Sequence, residues 1–593
     1  MLAISLLAAS IFLEAEFFQN PGGWTVESQF YDQVGSQYLL AQGNGVPVED
    51  ATTCVKFPSS GTYHAYVRTY NWNAPWDADT APGTFLLKVN ESVIGNVLGT
   101  APDKWGWHYA GSFRAERGEA EVALHDLTGF CGRCDAICFT KRVPANAEPS
   151  RPKAKKSHCG RYDFVVVGGG AAGISAAVSA ARLGQKTLLL QDRPVLGGNN
   201  SPEIGVTITG GVKLEPYDHL GTVIDELGSL WLSYERADSI IRSETNLDVL
   251  TGRRVIAATT RRGRIRKITA VNLADGSLEI YSSKLFADCT GDGNLGYLAG
   301  ADFTCGRESS DVYGENLAPE YSEPLSYGST LKWKAAALDS VSSFPKTPWA
   351  VQFNSATAQR ATGSQWFWEA GMNKDQIADA EYIRDYWYRV IYGNWSYLKN
   401  SPETRNAYAN YGLNQVSNIL GKRESRRLLG DYVICQNDVE GLIPQQEDAF
   451  VICTYSIDQH FPRPDNSADF PGNEFLVIQK HNHNEFGPVD PKIPGENINQ
   501  PFFIPYRCLY SRNIDNLFMA GRDISASRIA MCALRVQGTT AMMGELVGIA
   551  ASCCNKYGYS PRELYEEGLD TLKNAVTCGI PVKNESRLTI NLR

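Results

Sequence analysis

Nowhere in its 593 residues does the chain hold an uninterrupted apolar run of about 20, so a membrane-spanning helix is not expected. Nor has it a basic excess. Lys and Arg number 56 against 65 Asp and Glu, for a formal net charge of −9, which argues against nucleic acid as a partner because phosphate binding draws on clustered cations. The compact basic run Lys153 to Lys156, beside Arg151, reads as a solvated linker. No period of roughly 20 to 50 residues repeats, which excludes a solenoid or a propeller. Histidine is scarce, with eight in the chain, so few side chains can take a proton near neutral pH. What is present is ordinary for a folded globular protein: 43% hydrophobic and 20% charged residues, in a length that calls for more than one core.

Residues 1–13 are apolar enough for the core of a secretion signal but lack the basic residues that normally precede one. A secreted location is the expectation, and a soluble intracellular one the alternative. Sequons at Asn90, Asn199, Asn394 and Asn584 are consistent with a glycoprotein but no more numerous than chance provides. Residues 14–143 carry short alternating segments such as Thr62 to Tyr70 and Thr84 to Asn90, punctuated by Gly, Pro and Asn, and predict an all-β sandwich. Its Trp72, Trp76, Trp105 and Trp107 are read as core packing rather than as a sugar-stacking surface. Cys131, Cys134 and Cys138 are spaced like metal ligands, but within a sandwich they read as buried thiols or a disulfide. Residues 144–160, with three prolines and no periodicity, predict a linker.

After the linker the pattern changes to Tyr162-Asp-Phe-Val-Val-Val167, an apolar run suited to a strand covered on both faces. Gly168, Gly170 and Gly173 follow in Gly-x-Gly-x-x-Gly spacing, with Ala172 inside the turn, at the start of a small-residue helix. The first glycine permits a tight turn, the second lets backbone approach a pyrophosphate, and the third lets helix pack on strand. The helix N-terminus then offers its amides and dipole to phosphate. A second strand, Lys186 to Leu190, completes a βαβ dinucleotide-binding unit. Gln191 and Asp192 are the candidates for the ribose contact, with Arg193 next to them. A second fingerprint of this kind is missing, which leaves no separate NAD(P)H domain.

Three later motifs belong with this unit: Gly197-Gly198-Asn199-Asn200; Thr290-Gly291-Asp292; and Gly521-Arg522-Asp523, followed by a helix with Gln537, Gly538 and Thr539 at its start. With Gly421 to Asp431 (GKRESRRLLGD), they resemble the FAD-dependent oxidoreductase family whose members are often labelled xanthan-lyase-like. The run Leu124 to Ile137 resembles the galactose-binding-like module that precedes the flavin domain in such proteins. The resemblance implies a multidomain protein: the β-sandwich, then an α/β Rossmann-like, glutathione-reductase-like FAD domain with a helical and mixed substrate region. It implies FAD as cofactor, with the fingerprint glycines at the pyrophosphate, Gly197 and Gly198 close to the flavin, Asp523 on the ribityl chain and Val255 passing the adenine. The FAD domain is expected over residues 161–310, 415–444 and 511–570. Residues 311–414 are expected to form a helical insertion covering the substrate, 445–510 a substrate-side region, and 571–593 a tail.

Oxidation of an alcohol needs a base for the hydroxyl proton. His460, His481 and His483 are the candidates, lying between the Arg-rich segment and the last flavin strand. His481 and His483 alternate as strand ligands would, but no third and fourth ligand accompany them, so no metal site is expected. Arg423, Arg426 and Arg427 are expected on one helix. Arg426 or Arg507 is positioned in sequence to bind a substrate carboxylate or stabilise reduced flavin, the alternative being a salt bridge to Glu424 or Asp431. The functional expectation is oxidation of an alcohol on a saccharide or glycoside, with a small molecule or oligosaccharide as partner and oxygen among the possible acceptors. One alternative is redox-neutral glycoside cleavage by oxidation, elimination and re-reduction; another is a secreted carbohydrate-binding protein with a vestigial flavin domain.

Overall fold

The computed structural model describes residues 10–100, 104–142, 149, 151–365, 367–482 and 498–588, without the side chains of 481, 482 and 498–500. The chain divides into two compact units. One comprises Met1–Ala154, Leu331–Ser364 and Ala380–Asn418; the other comprises Lys155–Thr330, Gln365–Asp379 and Ile419–Arg593.

The first unit is β-rich. Ile11–Glu14, Ala136–Thr140, Gly61–Thr69 and Gly106–Ala115 form one antiparallel sheet, and Ala51–Phe57, Gly118–Asp126, Phe85–Val89 and Ser92–Val93 form another. Alternation of buried and open positions along Ala51–Phe57 and Gly61–Thr69 turns one face of each inward. Phe57 from one sheet meets Tyr63 and Phe139 from the other at ring distances of 4.8 and 5.5 Å, so the two sheets share a core. Cys131, Cys134 and Cys138 are buried free thiols.

Residues 311–414 differ from expectation. Among the described residues of this stretch there is one long helix, Ala380–Asn400, and the Gln365 to Glu369 segment is not helical. The helix belongs to the β-rich unit, where its charged and aromatic positions are satisfied. Buried Arg133 donates to Asp385 and Glu381, both at 3.0 Å, and Arg384 reaches Glu27 and Asp385 at 3.3 and 2.8 Å. Tyr38 donates to Glu381 at 2.7 Å. The tryptophans serve this packing: Trp76 stacks on Tyr382 at 4.4 Å, Trp105 donates to Glu381 at 3.1 Å, and Trp72 is fully buried.

The second unit is built on a seven-stranded sheet in the order Leu247–Thr251, Thr187–Gln191, Lys156–Val167, Leu278–Asp288, Arg264–Asn272, Arg253–Arg261, with Leu517–Met519 also paired to Leu278–Asp288. The strands around the fingerprint are parallel, and Arg253–Arg261 with Arg264–Asn272 add an antiparallel hairpin. The linker is shorter than expected, since Lys156 to Gly160 already pair with Leu278 to Tyr281. Helices Ala171–Arg182 and Gln537–Tyr557 lie against each other closely enough that a Cβ on Gly544 would sit 2.0 Å from the Ala172 carbonyl oxygen. The next residue, Glu545, is buried and accepts from the Val223 amide at 3.1 Å. Burial raises its pKa to about 7, against the stabilising effect of the Val223, Thr222 and Gly221 amides. Among the described residues no helix is long and apolar enough to cross a membrane.

Two outcomes follow. Arg133→Met leaves buried Glu381 and Asp385 with Arg384 alone of their two counter-charges, and is expected to destabilise the β-rich unit by about 3–5 kcal/mol, read from tryptophan-monitored urea unfolding. Because the folded pKa of Glu545 lies above the ordinary carboxylate value, the stability it contributes is full below about pH 4.5 and is lost as pH rises through about 7. Glu545→Gln should therefore gain in Tm relative to the parent at pH 8 and not at pH 4, measured by calorimetry.

Candidate active site

The turn after Lys156–Val167 is governed by close backbone approach. Gly168 has φ 101°, and a Cβ there would lie 2.3 Å from the Cys289 carbonyl oxygen; one on Gly173 would lie 1.8 Å from that of Gly168. A Cβ on Gly170 would meet nothing within 4 Å, so this side of the turn faces open space. Helix Ala171–Arg182 starts here with no side-chain cap, which leaves its first amides directed at that space. Gln191 holds the turn rather than a ribose: its Oε1 accepts from the Gly169 amide at 2.8 Å and its Nε2 donates to the Val195 carbonyl at 3.3 Å. Asp192 is left as the acidic candidate, beside Arg254 at 2.9 Å. Arg193 is taken up by Glu203 at 2.7 Å, and Val255 lies in the hairpin strand opposite Ala270.

Gly197 donates to the Gly169 carbonyl at 2.7 Å, which seats the Gly197 to Asn200 turn on the fingerprint. Asn199 donates to the Lys422 carbonyl at 2.9 Å. The amide of Asn200 is used internally, by the Val206 carbonyl and the Leu230 amide. Gly291 packs under Arg522, and Asp292 accepts from Lys422 and Ser425, each at 2.7 Å. Burial opposes ionisation of Asp292, but Lys422 and Arg522 outweigh it and hold the carboxyl at about 2. Asp523 is the opposite case. It is fully buried, neither oxygen accepts a hydrogen bond, and burial and neighbouring Asp288 push its pKa well above the carboxylate range. Asp288 itself is committed to Thr290 and to the Gly296 amide. An unpartnered buried carboxyl beside Gly521, across from a glycine cradle with open amides, fits a ligand that brings hydroxyls to one and phosphates to the other.

At the start of helix Gln537–Tyr557, Gln537 donates to the Val206 carbonyl at 3.3 Å and the Gly538 amide to the Thr209 carbonyl at 2.8 Å. Thr539 is buried and turned toward Cys453 at 3.7 Å. The loop 206–211 thus occupies part of the helix end that was expected to face the flavin.

Arg535, two residues before this helix, leads to the second half of the site. Its Nη2 lies 2.9 Å from Asp458 Oδ2 and 3.2 Å from His460 Nε2. His460 is buried, with Nδ1 against Glu369 Oε1 at 2.5 Å and Nε2 facing Asp458 Oδ2 at 3.0 Å and Gln479 Nε2 at 3.2 Å. Arg423 joins Glu369 at 3.0 Å, and Tyr327 lies edge-on to the His460 ring at 4.8 Å. Burial opposes the charge on Glu369, yet Arg423 and His460 hold its pKa below the usual value. Nδ1–H donates to the Glu369 carboxylate, and Nε2 lies among Asp458, Arg535 and Gln479, on the side of half-buried Gln479.

Other candidates do not join this cluster. The Arg423 to Arg427 segment forms no helix: only Arg427–Leu428 is regular, as a short strand, because the arginines are each drawn to a different partner. Arg426 stacks on Tyr297 at 4.0 Å, and buried Arg427 pairs with Glu424 at 2.7 Å and Glu308 at 2.6 Å. Arg507 pairs with Asp448 at 2.9 Å between the rings of Tyr432 and Tyr565, a structural ion pair with a partner other than those expected. The backbone of His481 pairs with Asp458, its side chain is not described, and His483 lies outside the described residues. Glu369, Asp458, Arg535 and Tyr327 were missed. Asp458 alone carried a local signal, since it sits two residues from His460 on strand Ile457–Pro462 and so on the same face. In the β-rich unit the carboxylates of Glu14, Glu16 and Asp135 lie within 4.8 Å of one another, an acidic group without His or Cys.

The profile of the family described as FAD dependent oxidoreductase matches residues 163–576. A 39-residue stretch is 62% identical to the tRNA uridine 5-carboxymethylaminomethyl modification enzyme MnmG of Lacticaseibacillus paracasei, covering 7% of this chain and 6% of that enzyme's length. Among solved structures, a geranylgeranyl bacteriochlorophyll reductase-like protein from Thermoplasma acidophilum is similar at 13% identity over 70% of this chain and 83% of that one, with a TM-score of 0.31. A family 35 carbohydrate binding module from Clostridium thermocellum is similar at 18% identity over 22% of this chain and 98% of its own, with a TM-score of 0.18.

Gly168→Ala is expected to yield protein with little bound FAD, because the new Cβ would overlap the Cys289 carbonyl in a backbone conformation disfavoured for alanine. The ratio of visible flavin absorbance to protein absorbance measures it.

Proposed function

This chain belongs to the FAD dependent oxidoreductase family, and we propose that within it the protein oxidises an alcohol group of a saccharide or glycoside. FAD, when bound, supplies the hydride acceptor. The observation that carries the reading is His460, held by Glu369 at Nδ1 and linked through Arg535 to the start of the helix Gln537–Tyr557. The substrate hydroxyl gives its proton to Nε2 of His460 as its carbon gives up hydride, leaving a carbonyl. Glu369 keeps the ring oriented and balances the positive charge that develops on it. In this reading Nε2 is the deprotonated nitrogen, Arg535 occupying the Asp458 carboxylate beside it, and the incoming hydroxyl displaces or joins Asp458, Arg535 and Gln479.

A polar, many-hydroxyl substrate suits a site with this many buried charged donors and acceptors, and the β-rich unit with its resemblance to a sugar-binding module supports the same class. The intact cradle and the unpartnered Asp523 count against a vestigial flavin domain. An extracellular location belongs to this reading, supported by the exposed sequon at Asn90, whereas Asn394 is fully buried.

The test is anaerobic mixing of the purified protein with mono- and oligosaccharides while the visible flavin band is followed. The parent should bleach with an accepted sugar. His460→Asn should keep its flavin and slow bleaching by about 10²- to 10⁴-fold, the range of a lost general base. Bleaching at the parental rate in this variant would remove His460 from the mechanism. Product formed without net bleaching would replace simple oxidation with the redox-neutral route.

A further inference from the structure

On strands Lys156–Val167, Leu278–Asp288 and Arg264–Asn272 of the seven-stranded sheet, away from the glycine turn, a cavity of about 670 Å³ is lined by Arg161, Arg264, Arg266, Ser282, Lys284 and Tyr559, among others. Lys284 is paired with Asp163 at 2.9 Å. Among the described residues, Arg161, Arg264 and Arg266 have no ion-pair or hydrogen-bond partner for their guanidinium groups. Glu563, the acid that feels the charge of Arg264, is committed to a capping box with Ser560. In a chain of net charge −9, three arginines without ion-pair partners lining one concavity, Arg264 half-buried and Arg161 and Arg266 exposed, are not a by-product of a basic surface. A concave site lined by one sign of charge focuses its field on an oppositely charged ligand.

The volume falls in the range of small-molecule sites. Guanidinium forks match phosphate oxygens in pairs, and the Ser282 hydroxyl adds a donor. Half-buried Tyr559 adds a flat aromatic surface on the same wall. This cavity is not an extension of the FAD cradle. Arg161 and Gly168 are seven residues apart along one strand, about 23 Å at the usual rise. We propose that the cavity binds a phosphorylated nucleotide of mononucleotide size, its phosphates on Arg161, Arg264 and Arg266 and its base against Tyr559.

Calorimetric titration of the FAD-loaded protein with ADP, adenosine and inorganic pyrophosphate tests this, the bound flavin keeping the glycine cradle filled. ADP should bind more tightly than either part alone. The double variant Arg161→Glu, Arg264→Glu should weaken ADP at least about tenfold with flavin content unchanged. Tyr559→Ala should weaken ADP and leave pyrophosphate untouched. No binding of ADP to the loaded protein, or an affinity indifferent to the charge reversal, overturns the site. Pyrophosphate binding as tightly as ADP overturns the nucleotide assignment.

Discussion

The Gly168 turn sets a carbonyl oxygen of Cys289 where any side chain at Gly168 would have to begin, and the Gly168 carbonyl where one at Gly173 would begin. That contact brings the ends of two parallel strands and the uncapped start of a helix to one point, beside the open space at Gly170. The remaining parts of the site are hung on it. Gly197 bonds to Gly169, Asn199 of the same turn bonds to the Lys422 carbonyl, and Lys422 bonds to Asp292. Asp523 then lies buried beside Asp288 and Gly521, where a free carboxyl is tolerable only if a ligand supplies its hydrogen bonds or if it keeps its proton.

Buried charge is handled in two ways. In the β-rich unit Arg133 and Arg384 are matched by Glu27, Glu381 and Asp385, and the network orients one long helix. In the flavin-binding unit the matching is incomplete: Glu369 has one oxygen without a partner, as has the Nε of Arg535. Incomplete matching is expensive in a folded core, and it is found where a reacting group has to change its bonds during turnover.

Much of the fold was legible because it rests on local signals. Period-two alternation predicted the sandwich strands, and an apolar run followed by spaced glycines predicted the βαβ unit. The long helix was legible too, but its place was not, since Tyr382 and Asp385 look the same in sequence whether they face a cofactor or Trp76 and Arg133. The salt-bridge alternative for Arg507 holds with a partner that sequence does not indicate, since Asp448 lies 59 positions away and has no motif. Of the base candidates, His460 could be named but not ranked, because Glu369 is 91 positions distant.

The sequence by itself determined the tight glycine turn after Val167, because close backbone approach demands glycine at fixed spacings, and that demand is written in consecutive residues. Only the tertiary structure decided which partner each polar side chain takes. Gln191 locks a turn, Arg426 lies on Tyr297, and His460 is oriented by Glu369, since hydrogen bonds and ion pairs are made across space between residues whose separation along the chain carries no information about contact.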